Sequence, residues 1–155
     1  MYLTLKLFHI FGVVLFLGHI ITAVMWKLIA DHSHDARVMA YAMEGIISGD
    51  RYFTFPGVGL ILVTGISLLF VSGYSFIRTS WIWQSIVLFA ISGAIAVFFL
   101  SPLQRRLREI AIMGARGRFD ASEYQRLSRQ WGVWGTLATL APLAALALMV
   151  LKPSY

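Results

Sequence analysis

Four long apolar runs, at about 2 to 29, 55 to 73, 80 to 101 and 132 to 151, leave this chain few ways to fold. A hydrocarbon core of roughly 30 Å takes about 20 residues of helix, and each run meets that length. The reading is all-α: a polytopic membrane protein, a four-helix transmembrane bundle with amphipathic cytoplasmic connections, forming one domain over residues 1–155. Composition agrees, with 59% of the 155 residues hydrophobic and 13% charged, far from a soluble domain. What lies between the runs is too short to hold a core of its own. The first run carries His9 and His19, is too long for a signal h-region and lacks a clear cleavage site, so it is read as a retained helix.

The 13 Lys and Arg residues set an orientation. Arg105, Arg106, Arg108, Arg116, Arg118, Arg126 and Arg129 fall in the connection at 102–130, and Lys27, Arg37 and Arg51 fall in or beside the first connection. Lys6, Arg78 and Lys152 fall on the other side. The positive-inside rule then puts both connections in the cytoplasm and both termini outside. Because the basic residues cluster between spans, the net charge of +6 is read as orientation in a lipid bilayer, and no nucleic acid is expected as a partner. The stretch "LQRRLREIAIMGARGRFDASEYQRLSRQW" predicts two short amphipathic helices on the inner leaflet, broken at Gly114 and Gly117 and restarted by a cap at Asp120 or Ser122. Its arginines either orient the chain and snorkel, or form a surface for anionic lipid or a partner.

The chain has no cysteine, which removes disulfides, thiolate metal sites and CxxCH haem attachment. Nor does it carry GxSxG, P-loop, HExxH or dinucleotide fingerprints. In the first connection, His32 and His34 beside Asp31 and Asp35 could clamp a metal if the segment is extended. They could equally be solvated, or cap the following helix.

His9 and His19 lie ten positions apart in "HIFGVVLFLGHI". At 100° per residue they share a face with Leu5, Gly12, Phe16, Ala23 and Trp26, an inward stripe with three- and four-residue steps. Val14, Leu17, Ile21 and Leu28 are left for lipid. An imidazole at membrane depth is a functional-site candidate, although it can also serve as polar glue to Thr64, Ser67, Ser85, Ser92, Thr136 or Thr139. Along the axis the two rings are about 15 Å apart, so they cannot share one metal. A haem iron on His9 would be five-coordinate or take Met149 as its second ligand. Met25, on the same helix as the histidines, is less suited. His19 would serve a second site or a polar relay.

The stretches "YLTLKLFHIFGVVLFLG" and "SPLQRRLREIA" resemble those of domain of unknown function family 2269, a family of predicted bacterial integral membrane proteins. More distantly, the first helix is similar to those of HemJ-type protoporphyrinogen oxidases and of copper-resistance protein D membrane domains. The residues carrying the likeness are Lys6, His9, Gly12, Gly18 and the stretch from Pro102 to Arg106. The HemJ resemblance implies haem b held through the first-helix histidine, here His9, in a bacterial inner membrane. Those oxidases also carry a basic residue in the third span, where "TSWIWQSIVLF" has Gln84 and no lysine. The likeness therefore implies a haem site rather than that named reaction. Two functional readings follow. One is a b-type haem protein in electron transfer or an oxidoreductase step. The other is a structural or assembly subunit of a larger membrane complex or homo-oligomer, packing through Gly57, Gly59, Gly65, Gly93, Gly132 and Gly135. Transport through the bundle is disfavoured by the absence of Asp or Glu from the spans.

Overall fold

A computed structural model describes residues 1–76 and 79–153; Arg78 lies outside the described residues. The chain runs up, down, up and down. Helix α1 (Tyr2–Ser33) ends in a left-handed residue, His34, with φ 53°. Asp35 then accepts from the backbone N–H of Arg37 at 2.8 Å and starts α2 (Ala36–Gly49). A π-helical turn, Asp50–Thr54, leads without a break into α3 (Phe55–Ser72). Gly73, at φ 70°, ends that helix in the conformation that costs glycine least. On the return, α4 (Ser80–Ile95), a second π-helical turn (Ala96–Leu100) and α5 (Ser101–Ala115) again form one long helix. The turn beyond it uses Gly117 at φ 86°. Helix α6 (Ala121–Leu151) begins where the Asp120 carboxylate accepts from the backbone N–H of Glu123 at 3.0 Å.

Four helices of 31 to 37 residues are long and apolar enough to cross a membrane. At 1.5 Å per residue they reach roughly 45–55 Å, well beyond the hydrocarbon core. The excess corrects one expectation. The 102–130 stretch does not form two short helices on a leaflet: its first half is α5, which prolongs the third span, and its second half is the start of α6; α2 likewise prolongs the second span and packs on α5. Met39, Ala42, Met43 and Ile46 of α2 meet Leu107, Ile110 and Ala111 of α5, and Tyr124, Leu127 and Trp131 of α6 close this core. It is the ordinary buried core of the molecule, at the end bearing the connections. In the opposite half the principal pairings are α1 with α3 and α4 with α6. Large apolar side chains such as Val14, Val63 and Phe70 remain exposed there, and Ile21, Leu28 and Val133 remain exposed nearer the connections, as a lipid-facing surface requires.

Proline explains both π-helical turns. Pro56 and Pro102 each stand two residues beyond the end of one. A helical proline has no N–H to offer and its ring presses on the carbonyl four residues back. Those carbonyls belong to Tyr52 and Phe98, inside the two widened turns, and widening by one residue is a recognised relief. Pro142 is handled differently. The carbonyl four residues before it, on Ala138, accepts from the Ser92 hydroxyl at 2.6 Å. Ser85, one heptad earlier on α4, shares its one proton between the Trp81 carbonyl at 2.7 Å and the Ala145 carbonyl at 3.2 Å, so two serines link α4 to α6 where lipid could satisfy nothing.

Candidate functional site

Helices α1 and α3 approach closely at Gly12 and Gly57. A Cβ on Gly57 would stand 3.0 Å from the Gly12 carbonyl oxygen and 3.1 Å from the Phe16 nitrogen. One turn along, this approach brings His9 to α3, where its Nδ1 lies 3.0 Å from the Thr64 hydroxyl oxygen. The hydroxyl proton is already engaged, since Thr64 donates to the Leu60 carbonyl at 2.5 Å. With that proton on Leu60, the Thr64 oxygen accepts from Nδ1–H, the tautomer in which Nε2 is the lone-pair nitrogen. Gly65 lies against the same ring, and a Cβ there would come within 3.2 Å of its Cε1.

His19 occupies a second station, against the other half of the same long helix. Its ring lies on Gly49 so closely that a Cβ there would fall 2.0 Å from Cε1. Phe53 stacks on the ring at 6.0 Å between centroids. Asp50, at the start of the first π-helical turn, places Oδ1 3.4 Å from His19 Nε2. The alignment makes no hydrogen bond, and Nε2 is a buried nitrogen without a hydrogen-bond partner. The Asp50 carboxylate also accepts from Thr54 at 2.9 Å and from the Gln104 side-chain amide of α5 at 3.1 Å. His19, Asp50, Thr54 and Gln104 line a cavity of about 380 Å³, walled also by Phe16, Ile20, Ala23, Ile46 and Ala138. Trp131 closes one side, and its indole N–H is likewise buried without a partner.

A third polar cluster lies inside the connection-end core. Lys27, 2% exposed, is ion-paired to Asp31 one turn on and donates to the Ser128 hydroxyl at 2.7 Å. Ser128 and Tyr124 donate to the two Asp31 carboxylate oxygens at 2.7 and 2.8 Å. The Lys27 ammonium also lies 5.0 Å from the centre of the Tyr124 ring. Both carboxylate oxygens and two of the three ammonium N–H groups thus have hydrogen-bond partners, which is how a largely buried pair is held.

Set against the sequence, the inward stripe of α1 holds at Gly12, Phe16 and Ala23, which are buried. It then passes to Lys27 and Ala30 rather than Trp26, which is 44% exposed and lies over Gly45. Thr64 is the polar partner of His9 foreseen among the span hydroxyls. Met149 is half-buried on α6, which pairs with α4, whereas His9 faces α3; no described contact joins the two. His32 and His34 do not lie on an extended segment: His32 is in the last turn of α1, Asp31 is committed to Lys27 and Asp35 caps α2. Among the described residues no group of three or more His, Asp or Glu could hold a metal ion.

Sequence reasoning missed Asp50, Gln104 and Trp131, and it used Lys27 for orientation and Asp31 for a metal clamp without pairing them. The spacing of Lys27 and Asp31, four apart on one helix, was a legible sign. Nothing local marked Asp50, because its partners His19 and Gln104 stand 31 and 54 residues away. It was assigned to a connection, and the structure puts it inside a continuous helix facing the bundle. No curated protein and no solved structure matches the chain. A family model matches residues 3–153, nearly the whole chain, and the chain belongs to that family, described as predicted integral membrane protein (DUF2269).

Proposed function

We propose that this protein is a b-type haem protein of the bacterial inner membrane, acting in electron transfer or an oxidoreductase step, with His9 as the iron ligand. The observation that carries the reading is the 3.0 Å contact of His9 Nδ1 with the Thr64 hydroxyl oxygen. Thr64 lies 2.5 Å from the Leu60 carbonyl, which takes its proton, and a histidine that donates from Nδ1 offers Nε2 to a metal. Gly65 keeps the ring's flank free of a side chain. The resemblance of the first helix to HemJ-type oxidases supports haem over other metal groups. Bound haem would supply one-electron chemistry at iron; the chain's part is to orient His9. The proposal does not need Met149, and His19 belongs to a separate station about 15 Å along α1.

Purified protein, expressed with haem supplied, is expected to show a Soret band that shifts on reduction. His9→Leu should abolish it, and Thr64→Val, which removes the orienting partner, should weaken haem retention about 10- to 100-fold. A colourless wild-type protein would overturn the haem reading and favour an assembly subunit.

The orientation proposed is both termini outside and the 102–130 connection in the cytoplasm, because the basic residues gather at the connection end. As the chain has no native cysteine, single introduced thiols report it directly. Arg118→Cys should resist a membrane-impermeant maleimide in intact cells while Pro153→Cys reacts. The reverse pattern would invert the topology.

A further inference from the structure

Two arginines flank the contact that joins the second long helix to the third. Asp50 accepts from the Gln104 side-chain amide at 3.1 Å, and Arg51 and Arg105 are the next residues along. Each helix therefore brings one arginine up beside that hydrogen bond. Both are exposed, and among the described residues neither makes an ion pair or a side-chain hydrogen bond. Their neighbours differ: Arg106 is paired with Glu109 and Glu123, and Arg108 with Glu44. Asp50 offsets only one of the two charges and is itself engaged by Thr54 and Gln104. The rim stays positive, and an anion there would relieve the repulsion.

The same two arginines line the cavity of about 380 Å³, whose other walls include Phe16, Ile20, Val24, Phe55, Val97 and Leu100. Its depth in the membrane follows from length. Thr54 stands 18 residues from Ser72, and Leu100 stands 20 from Ser80. That is about 27–30 Å of helix, so these two residues mark one boundary of the hydrocarbon core. Arg51 and Arg105 lie three and five residues beyond it, at the level of the headgroups. The apolar part has room. Gly135 is a buried residue of the lining, yet a Cβ on it would meet nothing within 4 Å, and close-packed interiors leave few such voids. A soluble anion would answer the arginines and leave the walls bare. A headgroup with an amine would bring its own cation against them.

We infer that this cavity seats one anionic phospholipid of the leaflet at the connection end, with its phosphate between Arg51 and Arg105 and an acyl chain along the apolar walls past Gly135. Guanidinium groups suit a phosphate, which they grip through paired N–H bonds. Residues of all four long helices line the cavity, so the lipid packs among them as part of the bundle. The seat is independent of haem at His9.

The test is native mass spectrometry of the full chain, released from detergent after incubation with equal amounts of phosphatidylglycerol and phosphatidylcholine of the same acyl chains. One phosphatidylglycerol per chain is expected to stay bound, in about tenfold preference to phosphatidylcholine. Arg51→Gln with Arg105→Gln should remove that preference. Arg116→Gln with Arg118→Gln, at two exposed and unpaired arginines outside the cavity, should keep it. Gly135→Leu, which fills the apolar part, should lower retention several-fold. Gly132→Leu is its matched control, because a Cβ at Gly132 also meets nothing within 4 Å and the residue lies outside the lining. Equal retention of the two lipids, or an unchanged preference in the Arg51 and Arg105 double variant, would overturn the proposal. Loss of lipid in that double variant with none in Gly135→Leu would overturn it too, since the headgroup would then be held at the surface with no chain in the cavity.

Discussion

Asp31→Ala is expected to be among the most damaging single substitutions in this chain, with a loss of about 3–5 kcal/mol of stability. The reason is its partner. Lys27 is 2% exposed, and its ammonium is neutralised only by Asp31, with Ser128 the one other hydrogen-bond acceptor described for it. Removing the carboxylate leaves a buried charge without compensation and strips Tyr124 and Ser128 of their acceptor. Denaturation in mixed micelles, followed by tryptophan fluorescence, would read the loss. The double variant Lys27→Met with Asp31→Leu removes both charges together and should recover most of it. If Asp31→Ala alone unfolded like wild type, the pair would contribute nothing to holding α1 against α6.

Gly57→Leu is expected to cost about 1–3 kcal/mol by forcing apart two helices that lipid does not push together. Even the first added carbon would meet backbone, at 3.0 Å from the Gly12 oxygen and 3.1 Å from the Phe16 nitrogen, and backbone cannot rotate away. Because the His9–Thr64 contact depends on the same approach, haem retention should fall along with stability. Gly59→Leu is the matched control, since a Cβ at Gly59 meets nothing within 4 Å. Equal stability of the two leucine variants would show that the Gly12–Gly57 contact does not set the spacing of α1 and α3.

The glycines of α3 thus fall into different kinds that sequence could not tell apart. Gly57 is a helix crossing, Gly65 a berth for His9, and Gly59 faces open space. All three look alike as small residues in an apolar run, because what distinguishes them is the neighbour, and the neighbour is on another helix. The prolines are the reverse case. Pro56 and Pro102 had a local consequence that the rule for helical proline could have supplied. The apolar runs begin at about 55 and end at about 101, beside the two prolines, whereas each helix continues through them by widening.

What sequence alone determined is what repeats along the chain or follows from length. Four apolar runs fix four spans, and the helical period fixes which side of α1 turns inward from His9 to Ala23; both are local properties, set before any helix meets another. The tertiary structure decided which helices pair, where the buried core lies and which distant residues meet. His19 and Asp50, Asp50 and Gln104, Lys27 and Ser128 are brought together only when the long helices lie side by side. A contact between helices depends on their crossing points and rotation, which close packing of whole surfaces fixes; no short stretch of sequence carries that information.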